Sequence, residues 1–139
     1  MNSRKLFAIA ALSSLLVGTA QAGDVEKGEK TFKRCKACHA ITAEDGTAII
    51  KGGKTGPNLY NVIGRPVASV EGFSYGESIE AAGATGLVWD EENLARYVTD
   101  PKAWLQEVLE DDSVKTKMTF KLRKGGEDIA AFLATMSPS

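Results

Sequence analysis

The string Cys35-Lys36-Ala37-Cys38-His39 holds both cysteines and the single histidine of this 139-residue chain. A C-x-x-C-H string reads as a c-type haem attachment site, and its spacing has a physical reason. Residues three and four apart share a helix face, so Cys35 presents its thiol beside Cys38 and His39. Two sulfurs so placed add to the two vinyl groups along one haem edge. The adjacent imidazole then lies under the iron, for which a neutral imidazole nitrogen is a standard ligand. A C-x-x-C pair alone also suits a thioredoxin-like couple, half of a zinc site or a local disulfide. The first needs a βαβ pattern, whereas the flank from Gly28 to Lys36 reads as helical and charged. Zinc needs four ligands, and there is no further Cys or His. One string implies one haem.

The N-terminus supplies a compartment for that chemistry. Arg4 and Lys5 precede an apolar run from Leu6 to Val17, and Ala20-Gln21-Ala22 has the small-x-small form of a cleavage site. This reads as a secretory signal peptide over 1–22; the alternative, a retained membrane anchor, is disfavoured by the shortness of the run. Cleavage leaves residues 23–139 as one domain. Haem is attached on the outer side of the bacterial inner membrane, so the expected location is the periplasm.

The leader holds two of the seventeen basic residues and none of the eighteen acidic ones, so the remainder has fifteen against eighteen, a net of −3. That balance argues against nucleic acid as a partner. Basic residues gather at Lys33, Arg34 and Lys36, at Lys51 and Lys54, and at Lys115, Lys117, Lys121, Arg123 and Lys124. Acidic ones gather at Glu77 and Glu80, at Asp90 to Glu92, and at Glu107 to Asp112. If the basic segments converge at the haem edge, the molecule has a positive face that steers it to an acidic partner. If they do not, they are solvated surface charge.

Periodicity predicts helices joined by long loops, an all-α protein. Asp24 caps a first helix through Val25, Gly28, Phe32 and Cys35. Residues 40–70 read as loop, broken by Gly46, Gly52, Gly53, Gly56, Pro57, Gly64 and Pro66. A short helix is expected from about Tyr75 to Ala82, closed by Gly83. Asp90 caps a helix through Thr99, with Glu91 and Glu92 favoured in its first turn by the helix dipole. Asp100-Pro101 ends that helix and starts another. The last runs from about Glu127 to Met136.

A second axial ligand separates an electron carrier from a gas-binding or catalytic haem protein. Two methionines follow the leader. Met136 falls in step with Ile129, Phe132 and Leu133, so core packing explains it. Met118 sits in Lys115-Thr116-Lys117-Met118-Thr119-Phe120, a charged stretch without helical period, and is favoured as the ligand over Met136 or none.

Residues 23–136 resemble a class I c-type cytochrome, of the cytochrome c2 group of purple bacteria and their denitrifying relatives. The resemblance is carried by Gly28 with Phe32, the C-x-x-C-H string, Thr55-Gly56-Pro57-Asn58-Leu59-Tyr60 with Arg65, and Gly72-Phe73-Ser74-Tyr75. Leu87-Val88-Trp89, Lys117-Met118-Thr119-Phe120 and Asp128-Ile129 with Phe132-Leu133 complete it. It implies a single-domain fold of four to five helices and long loops around one covalent haem c, held by Cys35 and Cys38, with His39 and Met118 on the iron. The Pro57 carbonyl would accept the imidazole N–H. Arg65, Tyr75 and Trp89 would bond a haem propionate, and Tyr97 and Thr116 would lie on the methionine side. Gly28 and Phe32 would meet Ile129 and Phe132 at a helix crossing. Mitochondrial members carry an asparagine near the haem, and this chain departs from them with Ile79.

The expected function is that of a soluble, high-potential one-electron carrier, not an enzyme. By resemblance its partners are the cytochrome bc1 complex and a photosynthetic reaction centre or terminal oxidase, with nitrite or nitrous oxide reductase as further outlets. It would dock as a monomer through the lysine-rich haem-edge face. An enzyme or sensor would need an open iron site, against which Met118 speaks. Four-helix-bundle c-type proteins carry the haem string near the C-terminus, whereas here it lies near the start. A haem-free thiol protein is the remaining rival.

Overall fold

The Asp24 carboxylate accepts the Lys27 backbone N–H at 3.0 Å and opens helix α1 (Val25–Phe32) in the computed structural model, which describes residues 22–138. The leader expected over 1–22 lies, Ala22 apart, outside the described residues. Strands β1 (Ile41–Thr42) and β2 (Ala48–Ile50) form a small antiparallel hairpin. Then come α2 (Glu77–Ala84), α3 (Glu91–Thr99), α4 (Pro101–Leu109) and α5 (Gly126–Ala134). Asp90 and Asp100 each accept an N–H of the first turn they cap, from Asn93 and Ala103. Pro101 stands at the first helical position, where its missing N–H costs nothing.

Four expectations need correction. The segment read wholly as loop contains the hairpin, whose strands are too short to show alternation. Helix α1 stops at Phe32 rather than reaching Cys35, and the haem string occupies the turn that follows. There the Cys35 carbonyl accepts N–H groups from Cys38 (3.1 Å) and His39 (2.9 Å), so helix-like spacing survives without the helix. Gly83 lies inside α2 instead of closing it, because the helix rests on the Val67 carbonyl and a side chain there would collide with it. Met136 lies beyond the end of α5, one residue past its C-cap, Thr135.

Helices α1 and α5 cross closely at Gly28. A Cβ there would fall 2.0 Å from the Asp128 carbonyl oxygen and 2.6 Å from the Phe132 Cβ. Beside the crossing the Phe32 and Phe132 rings pack with centroids 5.6 Å apart. Asp128 also accepts the Asp24 N–H at 2.8 Å, tying the start of α1 to α5. Helix α3 packs on α5. Phe32, Leu105, Leu122, Ile129 and Leu133 are among the most deeply buried side chains. Trp89, Tyr97 and Trp104 form an aromatic cluster, with Trp89 stacked on Trp104 at 5.2 Å. No helix among the described residues is long and apolar enough to cross a membrane.

Candidate haem site

The helices and loops enclose a cavity of about 340 Å³, within the range of roughly 300–1,000 Å³ usual for cofactor pockets. Its lining contains every candidate site residue: Cys35, Cys38, His39, Pro57, Arg65, Tyr75, Trp89, Tyr97, Thr116 and Met118. Phe32, Leu94, Leu105, Ile129 and Leu133 supply apolar wall from the core. Ile79 lines it too, so the wall is apolar at that position.

His39 Nδ1 lies 2.8 Å from the Pro57 carbonyl oxygen, eighteen residues along the chain. As a donor there, Nδ1 carries the ring's proton and leaves Nε2 with a free lone pair. Burial lowers the pKa of the imidazole, and the bond to Pro57 opposes this only in part, so the ring is held neutral as a metal ligand must be. Gly56 makes room for it: a Cβ at 56 would fall 2.3–2.7 Å from three atoms of the ring. Cys35 and Cys38 are not joined by a disulfide. Burial pushes the Cys35 thiol up to about 11 against the pull of Arg34. A thiol so hard to ionise is unlike the activated cysteine of a disulfide oxidoreductase.

Arg65 is half-buried and donates from its two Nη atoms to the carbonyls of Tyr60 and Asn58, each at 3.0 Å. No carboxylate pairs with it among the described residues, so a half-buried cation faces an apolar cavity without a counter-ion. The Tyr75 hydroxyl accepts the Val70 N–H at 3.1 Å, and its ring meets Phe73 edge-on. Burial raises the Tyr97 pKa to about 12, while a hydrogen bond with Thr116 works the other way. Thr116 Oγ1 donates to the Met118 carbonyl at 3.1 Å and pins the backbone of that methionine. Met136, by contrast, is outside the lining and packs against the core. Two thiols, a neutral imidazole, a thioether, an apolar wall and the Arg65 guanidinium fit a single haem with its anionic propionates.

Backbone and side-chain contacts bring the three basic segments together. The Gly53 N–H donates to the Lys36 carbonyl at 2.8 Å, and the Arg34 guanidinium carbon lies 5.3 Å from the Phe120 ring centroid. Two lysines are otherwise engaged. Lys117 Nζ donates to the carbonyls of Ser74 and Tyr75, both at 3.0 Å, and Lys121 Nζ pairs with Asp100 at 2.6 Å. Sequence reasoning did not assign roles to Gly56, Phe73 or the Arg34–Phe120 contact. For Gly56, the only local signal was a glycine beside Pro57; the others depend on tertiary packing.

No family model matches the chain. The cytochrome c-550 of Paracoccus versutus is 58% identical over 132 residues, spanning 94% of this chain and 86% of that protein. The cytochrome c2 of Rhodobacter capsulatus is 56% identical over 122 residues, 88% of this chain and 89% of that one. The crystal structure of ferric cytochrome c-550 from Paracoccus versutus superimposes with a TM-score of 0.81, covering 84% of this chain and 99% of that chain at 58% identity.

Proposed function

The chain belongs to the cytochrome c2 group of class I c-type cytochromes, and from that premise we propose that it shuttles single electrons between membrane complexes of the periplasm, with His39 and Met118 as the side chains that would hold the iron. It carries one covalent haem c and is an electron-transfer protein, not an enzyme. Donor and acceptor are the cytochrome bc1 complex and a reaction centre or terminal oxidase, with nitrite or nitrous oxide reductase as further outlets.

The observation that carries the ligand assignment is the presence of His39 and Met118 in one cavity lining that excludes Met136. When bound, the haem supplies one electron's worth of redox capacity on its iron, and a methionine ligand raises the potential of such a centre. The chain does the rest. Cys35 and Cys38 anchor the group, and the Pro57 carbonyl holds the imidazole proton at Nδ1. Thr116 restrains the Met118 backbone, and Arg65 offers a counter-charge to a propionate. Trp89, Leu94 and Ile129 exclude water, and a low-dielectric wall disfavours extra positive charge on the metal. Arg34, Lys36 and Lys54, all exposed, give the partner a cationic approach to the cavity mouth.

Stopped-flow kinetics test this reading. Purified bc1 complex supplied with quinol should reduce the ferric protein in a fast, salt-sensitive second-order reaction. Failure to accept electrons from that complex would contradict the proposal.

A further inference from the structure

Asn58 stands between two functional residues and touches the backbone that positions each. Its side-chain Oδ1 accepts N–H groups from Thr42 (2.9 Å) and Tyr60 (3.1 Å), and Nδ2 donates to the Thr42 carbonyl at 2.7 Å. Its backbone carbonyl accepts from Arg65. One amide thus joins the strand that leaves His39 to the segment that contains Pro57. The neighbouring bonds, Gly56 N–H to the Cys38 carbonyl at 2.8 Å and Leu59 N–H to the Ala40 carbonyl at 3.1 Å, run between the same two segments. The Pro57 carbonyl is therefore fixed from both sides. Between Ala40 and Leu59 the chain makes a long excursion through the β hairpin, and without a cross-brace that excursion would transmit its motion to residue 57.

From this geometry we infer that Asn58 is a positioning residue for the proximal imidazole: it holds the Pro57 carbonyl against His39 Nδ1 and thereby sets how strongly the ring donates to the metal. A carbonyl that accepts firmly leaves the imidazole more electron-rich, which favours the more positive oxidation state. Loosening the brace raises the potential. Replacement by alanine orphans two N–H groups and one carbonyl that are now satisfied within the protein. Asn58→Ser keeps an uncharged hydroxyl that can accept one of the two N–H groups, so its effect is intermediate. The inference rests on His39 as an iron ligand.

The test measures, in the ferrous holoprotein, the midpoint potential and the exchange rate of the His39 Nδ1 proton relative to the slowest amide of α5. Ala130→Gly, in a buried part of α5 away from the brace, serves as a stability control. Asn58→Ala should raise the relative exchange rate at least tenfold and shift the potential upward, with Asn58→Ser between it and the wild type. Ala130→Gly should lower stability, leave the potential unchanged and not raise the relative exchange rate. If Asn58→Ala does not fold, the direction of Asn58→Ser decides. Asn58 variants that lose stability with unchanged potential and unchanged relative exchange would overturn the inference. Failure of the underlying ligand reading would look different, since the wild type itself would then show no protected haem-bound imidazole proton.

Discussion

Arg34 holds its guanidinium carbon 5.3 Å from the centre of the Phe120 ring, joining the segment that carries the two cysteines to the one that carries Met118. A cation over an aromatic face at an exposed site contributes about 0.5–1 kcal/mol, so the contact is a modest brace. Its larger consequence is for charge. It brings the first and third basic segments to one side of the cavity, where the proposed partner would meet them together.

Neutralising Arg34, Lys36 or Lys54 should each slow association with a membrane partner by about two- to threefold at low salt, and the effect should fade as salt rises. Glu110→Gln and Asp111→Asn, on the acidic run after α4, should leave the rate unchanged. Lys117 is a poor probe of steering, because its ammonium is bonded to the carbonyls of Ser74 and Tyr75. Stopped-flow rates against ionic strength check this, and salt-independent rates would make the clustering incidental.

Gly28→Ala should destabilise the holoprotein by about 1–3 kcal/mol, the usual cost of forcing atoms into a packed contact. Alanine is the better helix former by up to about 1 kcal/mol, which works in the opposite direction. The collision wins because the nearest atom, the Asp128 carbonyl oxygen 2.0 Å away, belongs to backbone and cannot rotate aside. Denaturant unfolding measures the difference.

Much of the candidate site's lining was legible because several of its residues lie close together in the chain. Cys35, Cys38 and His39 are contiguous, and Asp24, Asp90 and Asp100 announce three helix starts through local capping. Met118 stood out from Met136 because one lacked helical period and the other had it. The hairpin was not legible: β1 and β2 are too short for alternation, and their pairing closes around a turn of Glu44, Asp45 and Gly46. Nor was the distribution of work among the lysines, since Lys117 and Lys121 find acceptors 43 and 21 residues away. Local sequence carries no signal for such contacts.

Tyr97 should govern part of the alkaline stability. The unfolded side chain ionises near 10 and the folded one near 12. Between those values the unfolded chain has released a proton that the folded chain keeps, so stability is fully present below pH 10 and falls as pH rises toward 12. Tyr97→Phe should flatten that part of the decline. Urea unfolding at a series of pH values from 8 to 12 follows it; an unchanged slope in the variant would assign the decline to other groups.

The central claim is that Met118, with His39, closes the iron's coordination and makes the protein a carrier. The near-infrared band of an iron–thioether bond in the ferric protein tests it most directly. Met118→Ala should abolish the band, lower the potential and admit added imidazole, whereas Met136→Ala should cost stability, about 2–5 kcal/mol for a fully buried side chain and less for this partly buried one, and keep the band. Loss of the band in Met136→Ala with retention in Met118→Ala, or its absence from the wild type, would contradict the account.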